Sequence, residues 1–265
     1  MNAAETFLNI ARKDLKAANC LYENKLYPQA VFFLQQSIEK MSKSLSASLD
    51  MFTMDELKTK IGHDATKIYR CMMENFLEDI KSKDLWHQKD FIYSGQIGIT
   101  KCLNIIKETS KILGDKQKIE SIPKKELINL IPDLITKRKR FNIIIEVIDK
   151  YKKELFDIWT ISDIPKEFNE IIKNNDFKKS HQTLKILFEI LYLDLTLIVL
   201  SIIVSPSCVE NTRYPDTDSN PLQIYTHRNP IVKSFHELVK LCRSALRGLN
   251  KVYKEFERME TKDAV

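Results

Sequence analysis

The chain has 265 residues, of which 43% are hydrophobic and 29% are charged. These fractions are typical of a soluble globular protein and exclude a chain too polar to form a core. The 42 basic and 36 acidic residues leave a net charge of +6, which is compatible with nucleotide or RNA binding without arguing for it. Only five residues are glycine, which strand turns use and helix interiors reject, so the composition favours helices.

The cysteines and histidines exclude two kinds of site. The five cysteines are Cys20, Cys71, Cys102, Cys208 and Cys242. They are widely spaced and never form C-x-x-C, which argues against a disulfide framework and a structural zinc site. The histidines show no H-x-x-x-H or H-E-x-x-H spacing, which argues against a metal site built on histidines. The first residues do not resemble a signal peptide. We therefore expect a cytoplasmic protein with reduced thiols and neither a metal nor another cofactor.

Helical periodicity predicts three helices in the first third of the chain. Residues 3–23 place apolar side chains on one face, and residues 24–27 turn the chain. Pro28 fits the first turn of a second helix, which runs to about Leu49, because that turn needs no N–H donor. A third helix is predicted over residues 62–80, with Asp64 as its N-cap.

Between about residues 85 and 180 the helical patterns become rich in lysine and are interrupted by glycine and proline. The helices predicted there cover residues 97–113, 124–131, 141–159 and 165–173. A basic cluster at residues 137–140 either covers a helix end or contacts nucleic acid. No alternation of apolar and polar residues long enough for a sheet occurs anywhere in the chain, so the fold class predicted is all-α.

Residues 186–204 are apolar and long enough to raise the question of a membrane span. Glu189 and Asp194 lie inside this segment, and each would cost about 2.5–3.5 kcal/mol at the centre of a bilayer. Leucine and isoleucine also recur at spacings of three and four. We therefore predict a buried bundle helix over residues 182–204 and no association with a membrane.

The last predicted helix, residues 230–258, has two distinct faces. At 100° per residue, six cations fall within an arc of about 80°, opposite a face of apolar residues. These cations, called the basic stripe below, are Lys240, Arg243, Arg247, Lys251, Lys254 and Arg258. The stripe either follows a phosphate backbone or is a solvated helix face.

Three segments resemble, in order, the HEPN (higher eukaryotes and prokaryotes nucleotide-binding) family. Residues 27–45, YPQAVFFLQQSIEKMSKSL, resemble the second helix of that family. Gly62-His63-Asp64 resembles the start of its third helix, and Arg213-Tyr214-Pro215-Asp216 resembles the RYPD sequence before its last helix. The resemblance covers about residues 3–80 and 182–258.

The resemblance implies a HEPN-like bundle of four or five helices with an inserted helical subdomain. The bundle would be formed by residues 1–84 and 182–265, and residues 85–181 would be the insertion. HEPN proteins commonly form homodimers, bind nucleotides or pair with small nucleotidyltransferases. Many are metal-independent ribonucleases with an R-x(4–6)-H motif, in which His transfers protons and Arg stabilises phosphate charge. No arginine of this chain has a histidine at that spacing, and the nearest pair, Arg228 and His236, is separated by seven residues.

The candidate site follows from the resemblance and from the basic stripe. Arg213 and His236 are the catalytic candidates, and the predicted nucleotide or RNA contacts are Arg213, Asp216, Lys240, Arg243, Arg247 and Lys251. Each has a structural alternative: Arg213 could instead pair with Asp216 to staple its loop. His63, beside Asp64, could act as a general base, although a histidine at a helix start more often bonds to the backbone. Glu39 and Lys43 are predicted to be an ordinary helix pair.

Three functions therefore remain open at this stage. The first is a HEPN-type module that binds nucleotide or RNA, within a toxin–antitoxin or defence system. The second is a metal-independent ribonuclease that uses a displaced histidine such as His236 or His227. The third is a non-catalytic protein that dimerises and recruits a partner. The absent motif favours the first and third functions, and the basic stripe favours the first over the third.

Overall fold

A computed structural model describes residues 3–82, 107–132, 134–135, 177–204 and 220–263. These residues form helices and connecting turns and contain no strand, which confirms the all-α fold class. In chain order the helices are α1 (Ala3–Glu23), α2 (Tyr27–Ser48), α3 (Met54–Glu56), α4 (Ala65–Ser82), α5 (Lys116–Ser121), α6 (Lys124–Asn129), α7 (Phe177–Ile203), α8 (Pro221–Ile224), α9 (Pro230–Lys233) and α10 (Phe235–Asp263). Residues 107–113 are also helical.

Helix α2 lies at the centre of the bundle. It contacts α1, α4, α7 and α10. These four helices surround it in the order α1, α10, α7 and α4, and each contacts the next. Small side chains let its neighbours approach closely: Ser37 Oγ donates to Ala11 O at 2.9 Å, and Ser44 Oγ donates to Ala4 O at 2.8 Å. An ionic group on α2 therefore has few routes to solvent.

The connection from α2 to α4 has an unusual geometry. Thr53 caps α3 through a reciprocal capping box with Glu56, and a π-helical turn, Leu57–Ile61, follows directly. Gly62 then adopts a φ of 60°, which glycine tolerates without strain. Asp64 caps α4 by accepting from the backbone N–H of Thr66 at 3.0 Å, so the predicted N-cap is confirmed.

Helices α7 and α10 complete the core. On α7 the side chains of Ile186, Leu193, Leu197 and Leu200 are buried, as predicted for a bundle helix. Within the described residues, no helix combines the length and the apolar character that a membrane crossing requires. On α10, Leu238, Leu241, Ala245, Leu249 and Val252 are buried opposite the basic stripe.

The last predicted helix is divided into two. Asn229 caps α9 by accepting from Ile231 N, and Pro230 occupies its first turn. Ser234 leaves the helical conformation with φ −102° and ψ 18°, and α10 starts at the next residue. The break lets Phe235 reach the core, where it stacks on Tyr22 with a centroid distance of 4.3 Å.

Part of the predicted insertion packs on the same core. Leu113, Ile119, Ile131 and Leu134 are buried in the main apolar cluster together with residues of α1, α2, α7 and α10. The helices predicted over residues 97–113 and 124–131 overlap the helical residues 107–113 and α6. Those predicted at 141–159 and 165–173, and the basic cluster at 137–140, lie outside the described residues.

Candidate functional site

The carboxylate of Glu39 is fully buried, with 0% of its side chain exposed, and two elements surround it. Lys40 Nζ and Lys43 Nζ lie 2.8 and 2.9 Å from its Oε1. Nδ1 of His63, at the start of α4, lies 3.2 Å from its Oε2. Burial would raise the pKa of Glu39, but the two lysines outweigh burial and hold the pKa below its usual value. Glu39 is therefore an ionised carboxylate inside the bundle.

The same group of residues, called the Glu39 cluster below, holds the π-helical turn against α2. Its members are Gln35, Gln36, Glu39, Lys40, Lys43 and His63. Lys43 Nζ donates to the carbonyl of Gly62 at 2.6 Å, and Gln35 Nε2 donates to the carbonyl of His63 at 3.4 Å. Gln36 Nε2 donates to Gln35 Oε1 at 2.7 Å. These contacts fix the backbone on both sides of His63.

A small pocket adjoins the Glu39 cluster between α2, α4 and α7. Gln35, Glu39, His63 and Thr66 provide polar groups to its lining, and Ile38 and Val204 provide apolar ones. Ser201 also lines the pocket and is 3% exposed. Its Oγ has no hydrogen-bond partner in the part of the chain that the structure describes. A buried hydroxyl of this kind costs about 1–3 kcal/mol unless something binds to it.

The burial of Glu39 was not predicted from the sequence. Glu39 and Lys43 do form the predicted pair four residues apart, but both side chains are buried rather than on a solvated face. The prediction that His63 bonds to the backbone is wrong for its ring, which contacts Glu39 instead. A signal was present in the sequence, because the residues that flank Glu39 and Lys43 in the helix include Ile38, Met41 and Leu45, which are apolar, and Ser42 and Ser44, which are small.

The basic stripe is exposed along α10. All six of its cations are exposed, and the stripe extends over about 27 Å at 1.5 Å per residue. Arg258 pairs with Glu255 at 2.9 Å, and Lys251 lies 3.7 Å from Glu189. In the part of the chain that the structure describes, Lys240, Arg243 and Arg247 form no ion pair. These three cations are therefore available to an external anion.

The structure does not unite all the predicted site residues. Arg213 and Asp216 lie outside the described residues. His236 is exposed at the start of α10, where its ring meets the edge of Tyr22 at a centroid distance of 4.9 Å. Among the described residues, no group of three or more His, Cys, Asp or Glu side chains could hold a metal ion.

These features define a helical bundle with a buried ionic cluster on its central helix. The family model of the HEPN domain matches residues 4–80, which confirms the HEPN resemblance over that part of the chain. The matched residues contain α1 except for its first residue, the whole of α2, most of α4 and the whole Glu39 cluster. No curated protein and no solved structure gives a significant match to the chain.

Proposed function

We propose that this chain is a cytoplasmic HEPN-type module that binds nucleotide or RNA through the basic stripe, with Arg213 and Asp216 contributing from the segment before α8. The proposal is carried by the three cations of α10 that form no ion pair with the described residues. Lys240, Arg243 and Arg247 follow one another at spacings of three and four, so they lie on one line of the helix surface. Such a line matches successive phosphates of an extended strand.

Helix α1 supports the same surface. Arg12 NH2 donates to Oδ1 of Asn250 on α10 at 2.9 Å, and Arg12 NH1 donates to Oδ1 of Asn9 at 2.7 Å. Both acceptors are neutral amides, so the guanidinium charge of Arg12 adds to the positive potential beside the stripe. The proposed binding surface therefore spans two helices.

The biological setting that we propose is a toxin–antitoxin or defence system, in which a small nucleotidyltransferase would be the partner protein. This part of the proposal rests on the family resemblance alone. The alternative is a non-catalytic protein that dimerises and recruits a partner without binding RNA. In the proposed function the basic stripe binds nucleotide or RNA, whereas in the alternative the stripe is only a solvated helix face.

The experiment is a salt titration of RNA affinity. Reversing two charges, Arg243→Glu with Arg247→Glu, removes two phosphate contacts of a single strand. We expect the affinity for a labelled RNA of about 20 nucleotides to fall at least tenfold. The slope of log K against log salt should become shallower by about 1.4, since each contact contributes about 0.7. Fluorescence anisotropy between low and moderate salt measures both quantities.

Two further variants make this test specific. Lys107→Glu with Lys125→Glu changes the net charge equally at exposed cations outside the stripe, and it should preserve the salt slope. Arg213→Ala should weaken RNA binding without changing the melting temperature. A lower melting temperature with intact binding would instead identify an Arg213–Asp216 staple. If the stripe variant binds RNA as the wild type does, the partner-recruiting alternative is the better one.

A further inference from the structure

The basic stripe of α10 ends next to an exposed imidazole. At 100° per residue, His236 falls inside the arc that contains the six cations of the stripe, and it lies about one turn, or about 6 Å, before Lys240. His236 is exposed, so its ring does not serve to fill the core. The line of cations along α10 therefore continues into an aromatic ring at the start of the helix.

The ring of His236 rests on a tyrosine that is held in place by two other contacts. The rings of His236 and Tyr22 meet edge to face, with an interplanar angle of 76° and 4.9 Å between their centroids. Tyr22 is stacked on the buried Phe235 with 5° between the ring planes, and its hydroxyl donates to the carbonyl of Val232 at 3.1 Å. The centroid of Tyr27 lies 5.5 Å from that of Tyr22. His236 is thus the most exposed ring of a well-fixed group of four.

The charge around these rings differs from the charge along the stripe. Burial raises the pKa of the Tyr22 phenol, and the nearby Tyr27, Glu237 and Glu23 raise it further. Both glutamates are exposed. A carboxylate repels a phosphate but does not repel the neutral ring of a nucleobase. The cations from Lys240 onwards therefore suit phosphates, whereas the aromatic end of the stripe suits a base.

We propose that His236, supported by Tyr22, is a stacking platform for one unpaired nucleobase of the RNA whose phosphates follow the basic stripe. The platform rests on the proposed function, because the stripe must first hold the strand, and it adds a contact with a base. His236 then binds a base and does not transfer a proton. Histidine is among the side chains on which proteins stack unpaired bases, and such stacking tolerates any base because every base has a π face.

The platform gives the surface a selectivity that its cations do not supply. Cations bind the phosphates of single strands and of duplexes alike. In a duplex the bases are stacked on one another, so their faces are not free to meet His236. The ligand class is therefore a single strand that carries bases, without a required sequence. His236→Ala should accordingly weaken the binding of a single strand but not of the same RNA annealed to its complement.

The test measures the affinity of the full-length protein for two strands that differ only in their bases. One is a labelled RNA of about 20 nucleotides without internal pairing, and the other is an abasic ribose-phosphate strand of the same length. The affinity for the first divided by that for the second measures stacking. We expect His236→Ala to lower this ratio at least about fivefold, because one stacked base is lost. The salt slope should not change, since no phosphate contact is removed.

Three further variants separate the ring from its charge and from the fold. His236→Phe keeps an aromatic ring and should keep the ratio within about twofold of the wild type. His236→Lys replaces the ring by a cation, so its ratio should fall as it does in His236→Ala. His227→Ala, at another exposed histidine outside α10, is the matched control and should leave the ratio unchanged. Both strands are measured on the same variant, so a partial loss of folding cancels in the ratio.

The outcomes separate the platform from the proposed function. If wild-type protein binds RNA and His236→Ala keeps the wild-type ratio, the platform is overturned and the proposed function stands. A ratio that His236→Lys preserves and His236→Phe does not would show that the side chain acts through charge, which also overturns the platform. If wild-type protein binds neither strand, the proposed function itself fails, and the platform fails with it.

Discussion

The fold changes the ionisation of Asp194. Its Oδ1 is buried on the apolar helix α7 and has no hydrogen-bond partner among the described residues. Burial raises the pKa of its carboxyl to about 7. The nearby phenol of Tyr69 is fully buried and donates to Ser42 Oγ at 2.7 Å. Burial raises the pKa of Tyr69, and the charge of Asp194 raises it further. The native bundle therefore favours the protonated, neutral form of Asp194.

This pKa predicts that stability falls as the pH rises. The folded-state pKa of about 7 exceeds the unfolded value of about 3.9, so the folded state binds more protons between these values. The contribution of the protonated carboxyl is complete below about pH 4 and is lost as the pH rises towards 7. The loss is on the order of a few kcal/mol at most, since one pKa unit corresponds to about 1.4 kcal/mol. Urea unfolding at pH 5 and pH 8 measures it.

Asp194→Asn is the matched control for that measurement. The amide is close in size to the protonated carboxyl and does not ionise, so the variant should resemble the wild type at pH 5 and exceed its stability at pH 8. Other groups titrate in both proteins and cancel in the comparison. If the wild type and the variant lose the same stability between the two pH values, Asp194 is not held neutral in the native state.

At the scale of elements, the approach of α7 to α10 depends on a glycine. A Cβ added at Gly248 would lie 2.7 Å from Glu189 Oε1 and 2.9 Å from Leu193 Cδ2. Glycine in a helix interior normally costs about 0.5–1 kcal/mol relative to alanine. Its presence in the middle of α10 is therefore explained by the close packing of α7.

Gly248→Ala should destabilise the protein although it improves helix propensity. The new methyl group must displace the buried Leu193 and the Glu189 carboxylate, and overpacking of this kind costs about 1–3 kcal/mol. Chemical denaturation measures the change in the free energy of unfolding. Leu193→Ala makes space at the same contact, so the two substitutions together should cost less than the sum of their separate effects. Additive costs would show that the two side chains do not meet.

At the scale of the whole molecule, the property to predict is the oligomeric state. The resemblance to HEPN proteins predicts a homodimer formed through the helices (an analogy of fold). Light scattering at tens of micromolar should then give twice the chain mass of 31.0 kDa. A mass of one chain under these conditions would contradict the prediction. The residues of the insertion that pack on the main core limit which faces of the bundle remain open to a second copy.

The division of the chain into a bundle and an insertion is likewise a proposal. Residues 1–84 and 182–265 are the proposed bundle, and residues 85–181 the proposed insertion. In the described part of that insertion, Leu113 and Ile131 share the core of the bundle. A subdomain that packs this closely should unfold together with the bundle rather than separately.

The sequence by itself determined the helices and their faces, because these depend on local properties. The bounds predicted for α1 and α2 agree with the structure within about one residue, and Asp64 caps α4 as predicted. The two faces of α10 were equally clear, since a period of 3.6 residues places each side chain before any packing occurs. On α7 the predicted leucine repeat did not identify the buried face, because Leu195 is exposed whereas Leu193, Leu197 and Leu200 are buried.

Only the tertiary structure decided what Glu39 does and why residue 248 is glycine. Glu39 and His63 are 24 residues apart, and they meet because the π-helical turn and Gly62 return the chain to the side of α2. Gly248 matters because α7, about 55 residues earlier in the sequence, packs directly against it. Distances between residues far apart in sequence are set by how helices pack, and a local pattern of apolar and polar residues does not contain that information.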